Sequence, residues 1–326
     1  MDDQPLLTRG RSPLPTHVDG LNAWTGEDGV AVLEFARPHR RNAITLAIWQ
    51  ALPKVLQQLA EQPDVRALLV TGAGGTFSAG ADIAELSEVY GDPDRADAYH
   101  ATNVAAEEAL AAFPHPTIAV VRGACVGGGC QLAVACDLRF VAENARMGIT
   151  PAKLGVVYPA VPTLRLARLV GPARAKLLLF SGELVTGREN VVLGLAERAL
   201  PDAELDAGAL EFARLLTLRS PQTIGAVKAA LAVPRSGPPR PCGPGRAAPA
   251  RPPTPTRASP PSSKAARPAS EPRRRDRERL RPRPEPGGGP SGTRPGSRGG
   301  RQRIGMPEMA RAMTRRWISL VPSKIE

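Results

Sequence analysis

Apolar positions fall into short runs and helical stripes that alternate along the first two thirds of the chain. Val30–Phe35 (VAVLEF), after the turn-forming Glu27-Asp28-Gly29, predicts a strand, paired in a hairpin with the stretch around Leu21–Thr25. Ile48, Leu52, Val55, Leu56 and Leu59 recur at helical spacing, and Thr45 is placed to cap that helix. Val65–Val70 (VRALLV) and Thr117–Val121 (TIAVV) read as buried strands. A strand, a helix and a second strand in this span make a βαβ unit, which predicts a sheet that is at least partly parallel. Residues 94–112 are rich in Ala and Glu, contain no Gly or Pro, and predict a helix that stops at Phe113-Pro114. Gly155–Gly182 predicts two short helices separated by Gly171-Pro172. Leu184–Leu200 and Ser220–Ala232 predict further helices, the last capped by Ser220 with Pro221 at its first position.

Two of the strands lead into glycine-rich turns that open helices. After TIAVV come Gly127, Gly128 and Gly129, and then Leu132, Ala133, Ala135 and Cys136 at helical spacing as far as Asp137. After VRALLV, the stretch TGAGGTFSAG ends in Gly80, before the helix-like ADIAELSEV. Backbone N–H groups at such a turn lack intrahelical acceptors, and a residue without Cβ lets a ligand approach them. Each turn is therefore a candidate anion or oxyanion site. One alone is a weak signal, because glycine at such a turn also serves close packing. Two can aim two donors at one oxygen.

Composition divides the chain. From Pro234 to Arg303, 18 of the 35 prolines fall among Arg, Gly and Ala, and no helical or strand period survives. Such a segment cannot bury enough apolar surface to offset its ordering entropy, so it is expected to be disordered. MPEMARAMTRRWISLV, near the end, regains amphipathic spacing. The expected organisation is a loose segment over 1–19, one folded domain over 20–233, the Pro/Arg/Gly-rich segment over 234–303 and a short helix-like segment over 304–326. The third segment is either an acquired tail or the product of a displaced reading frame. Out-of-frame reading of a GC-rich gene gives mainly Pro, Arg, Gly and Ala, and a restored frame accounts for the ordinary composition near Met306.

This division also explains the net charge of +12: the chain from Pro234 onward holds 22 basic and 6 acidic residues, whereas residues 1–233 hold 21 basic and 25 acidic. The folded part is mildly acidic. The tail arginines alternate with proline rather than aromatic residues, so they offer phosphate attraction without base stacking, which makes nucleic acid an unfavoured partner. Three of the four cysteines (125, 130, 136) lie in the glycine turn and its helix, without the paired short spacings or nearby histidine of a metal site, and read as reduced core thiols. No apolar run is long enough to span a membrane and the start MDDQPLLTRG does not read as a signal peptide, so a cytoplasmic protein is expected.

Four blocks carry a resemblance: RPHRRNAIT (Arg37–Thr45), FSAGADI (Phe77–Ile83), GACVGGGCQLAVACDLRF (Gly123–Phe140) and GITPAKLGVVYP (Gly148–Pro159). In this order and spacing they resemble the crotonase, or enoyl-CoA hydratase/isomerase, superfamily over about residues 20 to 230. The resemblance implies an α/β fold of repeated ββα units and an acyl-CoA substrate. No metal or separate cofactor is implied, since coenzyme A belongs to the substrate. It also implies assembly into trimers or dimers of trimers, which the altered C-terminal region would weaken. The implied oxyanion donors are the backbone N–H groups of Ala81 and Gly128. The residues implied to contact the CoA thioester are Arg37, Arg41, Ala79, Gly80, Asp82 and Ile83, with an alternative role for Asp82 as a local cap of its helix.

The family's hydratases carry one glutamate directly after the GGGC-type turn and a second in the following loop. Here those places hold Gln131 and Pro151, and neither can take a proton at neutral pH. The loop TPAKLGVVY instead resembles the methylmalonyl-CoA decarboxylase branch, which implies catalytic roles for Thr150 and Tyr158. A decarboxylase is the favoured expectation, because its substrate carries its own leaving carboxylate and needs no strong base. The alternatives are a hydratase or isomerase using Glu85 or Glu88, and a catalytically silent acyl-CoA-binding or nucleic-acid-binding protein. His115, between two prolines at a strand entrance, reads as a packing or surface residue rather than a base.

Overall fold

The computed structural model describes residues 5–89 and 92–232; the expectations for the Pro/Arg/Gly-rich segment and for the C-terminal helix lie outside the described residues. The chain opens with β1 (Ser12–Leu14), β2 (Leu21–Thr25) and β3 (Val30–Phe35), followed by α1 (Leu46–Ala60) and β4 (Ala67–Gly72). Next come α2 (Ile83–Val89), α3 (Pro93–Ala111), β5 (Thr117–Val121), β6 (Ala124–Val126) and α4 (Gly128–Ala135). Then β7 (Leu138–Ala142), β8 (Arg146–Gly148), α5 (Pro151–Leu154), α6 (Ala160–Val170) and α7 (Pro172–Ser181) follow. The described chain closes with β9 (Val185–Thr186), α8 (Gly187–Leu193), β10 (Arg198–Leu200), α9 (Leu205–Thr217) and α10 (Pro221–Ala232).

Seven strands form one sheet in the order β1-β2-β3-β4-β5-β7-β10, antiparallel from β1 to β3 and parallel from β3 to β10. The strands predicted from unbroken apolar runs are its centre, and β5 is buried at every position, as a parallel strand covered on both faces should be. A second sheet has the order β6-β8-β9; its strands lead into α4, α5 and α8 in turn. Thr45 caps α1 by accepting the Ile48 N–H at 3.3 Å, and the apolar stripe of α1 is buried as its spacing predicts.

Two expectations change. The segment 1–19 is not loose from Pro5 onward: Arg11 bonds both oxygens of Asp28 and the carbonyls of Leu7 and Val30, Leu7 is buried, and β1 pairs with β2. The stretch 184–200 is not one helix but β9, α8 and β10. Gly194 ends α8 in the left-handed region, and the Thr186 capping box starts it.

Candidate active site

The two glycine-rich turns meet at the carboxyl-terminal ends of the parallel strands. Ile44 forms a parallel bridge with Ala81: Gly80 C=O accepts the Ile44 N–H at 2.8 Å and the Asp82 N–H donates to Ile44 C=O at 3.0 Å. In such a bridge the flanking residues make both bonds, so the Ala81 N–H is turned away from Ile44. Among the described residues it has no acceptor. Ser78 bridges Cys125 in the same way, which fixes the second loop against β6. Gly128 is the first residue of α4, where no intrahelical acceptor exists for its N–H.

Close approach of these two loops requires glycine at two places. Gly80 has φ +98, and a methyl group built on it would stand 2.7 Å from Val126 O and 3.3 Å from Gly128 N. A methyl group on Gly128 would stand 3.6 Å from Ala81 N and 2.8 Å from Cζ2 of Trp49. Gly128 thus leaves open the space in front of the Ala81 amide and also seats a completely buried indole. Two unpaired N–H groups, one of them at a helix N-terminus, border one small space, which is the geometry for holding an oxygen that gains negative charge.

Asn42 organises the loop behind them. With φ +54, it places its side chain so that Nδ2 donates to Ala73 O and Thr76 O, while Oδ1 accepts the Arg37 N–H. Its carbonyl accepts the Ser78 hydroxyl at 2.7 Å, and Ser78 Oγ in turn accepts the Gly80 N–H. Sequence reasoning passed over Asn42; the signal available was an asparagine, tolerant of the left-handed region, ahead of an apolar helix.

The other expected site residues separate into committed and uncommitted groups. Arg37 donates to Asp82 Oδ2 at 2.9 Å and to Ala43 O, so its guanidinium is engaged within the protein, whereas Arg41 is exposed. The Ala79 N–H bonds Arg41 O, which joins the basic loop to the FSAGADI turn, and Ile83 is 79% exposed beside the Ala81 amide. Asp82 also accepts the Ala84 N–H, which makes it the local cap of α2.

The Arg37 hydrogen bond, reinforced by the Ala84 N–H and the charges of Arg37 and Arg40, outweighs burial and holds the Asp82 carboxyl below its ordinary 3.8. A depressed folded value contributes stability that is complete above the ordinary pKa and is lost as pH falls through the folded value. Asp82→Asn should therefore melt below the wild type at pH 7, with the gap closing as pH drops below 3.8. Equal melting temperatures at pH 7 would remove the pair from the stability of the loop.

Tyr158 and Thr150 are uncommitted. The Tyr158 hydroxyl is buried with no hydrogen-bond partner, and burial, with the nearby Cys130 thiol, pushes it well above the usual tyrosine range. It stays protonated and can donate. Thr150 sits at the N-cap of α5 but makes no capping bond with its hydroxyl. Of the substitute carboxylates, Glu85 accepts the Leu46 N–H at 2.7 Å and so caps α1; the Glu88 side chain lies outside the described residues. His115 precedes β5, at the end of the sheet opposite the glycine turns, where its ring packs edge-on against Phe113 and burial lowers its pKa.

A carboxylate that sequence reasoning did not single out lies beside the site. Glu107 on α3 is completely buried, accepts Gln131 Nε2 at 2.7 Å and is bonded by Arg165 of α6. Cys125, Cys130 and Cys136 are buried free thiols, and no cluster able to hold a metal occurs among the described residues. No helix among them is long and apolar enough to cross a membrane.

Known proteins resemble this chain in sequence and in fold. The family profile described as enoyl-CoA hydratase/isomerase matches residues 25–239. A probable enoyl-CoA hydratase of Bacillus subtilis is 37% identical over 205 residues, covering 61% of this chain and 76% of the relative. The 2,3-dehydroadipyl-CoA hydratase of Escherichia coli is 34% identical over 202 residues, 62% of this chain and 78% of its own. Among solved structures, an enoyl-CoA hydratase/carnithine racemase from Magnetospirillum magneticum superposes with a TM-score of 0.64 at 28% identity, covering 68% of this chain and 81% of that one.

Proposed function

The chain belongs to the enoyl-CoA hydratase/isomerase family, and from that premise we propose that it cleaves a carboxylate from an acyl-CoA thioester through an enolate held by Ala81 and Gly128. The observation that carries this reading is a pair of unpaired N–H donors with no carboxylate at either place from which water would be activated: Gln131 and Pro151 stand there. In the reaction the bond between Cα and the carboxylate breaks, CO2 leaves, and the electron pair moves into the thioester carbonyl. Its oxygen then carries the negative charge toward the two amides. Cα afterwards takes a proton, with the Tyr158 hydroxyl as donor and solvent as its resupply. Thr150 orients the departing carboxylate. Two preorganised amides supply a large part of the barrier reduction, about 2.7–4 kcal/mol for each donor.

Arg41, exposed on the basic loop, is the group we assign to the CoA phosphates. Coenzyme A enters as part of the substrate, in the cytoplasm. Leu164, Phe180 and Val192, on α6, α7 and α8, are 55%, 75% and 76% exposed, and such apolar surface supports the trimeric assembly that the family resemblance implies. A second reading, hydration or isomerisation, is favoured by the names of the relatives and by Glu107 standing one hydrogen bond behind Gln131. Malonyl-, methylmalonyl- and crotonyl-CoA incubated separately with the purified protein and followed by mass spectrometry decide between the two. We expect loss of CO2 from a malonyl-type thioester and little hydration of crotonyl-CoA; fast hydration with intact malonyl thioesters would reverse the assignment.

A further inference from the structure

Glu107 is bonded at both carboxylate oxygens, although a carboxylate taken out of water costs several kcal/mol before it is paired. Oε2 accepts Gln131 Nε2 from α4, Oε1 is bonded by Arg165 from α6, and the same guanidinium reaches Glu108 at 2.6 Å. Three helices are thereby joined through one buried group. Gln131 follows Gly128 by three residues, so the two share a face of α4, with the Gln131 side chain leaning back toward the N-terminal turn. An amide side chain can present either its NH2 or its oxygen to a neighbour. A carboxylate partner admits only the NH2, so Gln131 Oε1 is the end of the amide turned away from Glu107.

We propose that Glu107 is a positioning residue that locks Gln131 with its carbonyl oxygen toward the acyl group, so that the site presents an uncharged acceptor and admits acyl groups bearing a carboxylate on Cα. This rests on the enolate reading above. A charged group at position 131 would repel such a carboxylate, whereas an amide oxygen accepts from water beside it without net charge. The other charges around Glu107 leave the lock intact. Arg168 stands behind Arg165 on α6, α4 brings only the Cys130 thiol, the single ionisable residue of α1, Lys54, is exposed, and Glu85 of α2 is bound to Leu46.

The test exchanges the two groups. In Gln131→Glu alone, two carboxylates would occupy the ends of a 2.7 Å hydrogen bond, so one must keep its proton. Its folded pKa is raised, and stability is lost as pH rises from the ordinary glutamate value of about 4.3 toward the folded value. The melting temperature of Gln131→Glu should therefore fall further below wild type between pH 5 and pH 8, and Glu107→Gln/Gln131→Glu, which restores one amide and one carboxylate, should remove that trend.

In the double variant, calorimetry should give malonyl-CoA binding weakened at least tenfold and acetyl-CoA binding within twofold of wild type. Equal weakening of both, no weakening of either, or a pH-independent gap for Gln131→Glu would overturn the positioning role. A wild-type protein that binds neither thioester would instead bring down the enolate reading, and the melting series would still decide whether Glu107 and Gln131 are coupled.

Discussion

Gly128→Ala should lower kcat on the protein's thioester substrate by about 100-fold to 1000-fold, the size of effect that follows loss of one oxyanion donor. The added methyl would stand 3.6 Å from Ala81 N, in the space proposed for the thioester oxygen, so it is expected to obstruct both donors at once. The same methyl would lie 2.8 Å from Cζ2 of Trp49, whose indole is completely buried, and overpacking of this kind costs roughly 1–3 kcal/mol. A bulkier residue such as valine would press further into Trp49, so lost activity in Gly128→Val would not separate chemistry from packing. Trp49→Phe replaces the indole by a smaller single ring that lacks the Cζ2 edge. Combined with Gly128→Ala, it should recover melting temperature without recovering kcat. Recovery of both would mean that Gly128 serves packing and that no oxygen is held there.

The parts legible in the sequence were those whose cause is local. Short, mainly apolar runs mark the central parallel strands, and β5 occupies Thr117–Val121, the β-branched run among them. Thr45 and Ser220 were readable as caps, and both accept the N–H three residues on, each at 3.3 Å. Glycines at strand ends pointed to the two turns because the chemistry required there is the absence of a side chain. What stayed hidden depends on partners far away in the chain.

Glu107 lies in an Ala- and Glu-rich helix whose spacing does not distinguish an inward glutamate from an outward one, and its partners are 24 and 58 residues distant. Trp49 reads as one more apolar residue of α1 until its edge is seen against Gly128. The 184–200 stretch misled because apolar spacing outvoted Gly194, which ends α8 and lets β10 join β7. Arg37 is implied as a contact to the CoA thioester by its place in the RPHRRNAIT block. Its engagement with Asp82, 45 residues away, appears only when the two loops are brought together.

Tyr158→Phe should separate stability from function in opposite directions. A buried hydroxyl without a partner carries a desolvation penalty of about 1–3 kcal/mol, and Tyr158 is such a group, so its removal breaks no hydrogen bond within the described protein. Phenylalanine fills the same ring volume, and the melting temperature should hold or rise. Turnover of a malonyl-type thioester should fall about 100-fold or more, since general acid groups contribute that much or more when they deliver a proton in the transition state. The hydroxyl remains protonated across the neutral range because burial holds it well above the usual tyrosine value, so the loss should not vary with pH between 6 and 9. The measurement is a pair of curves, thermal melting and initial rate against malonyl-CoA, for the two proteins under one set of conditions. A lower melting temperature with unchanged rate would make Tyr158 a packing residue, and the proton for Cα would then have to come from water alone.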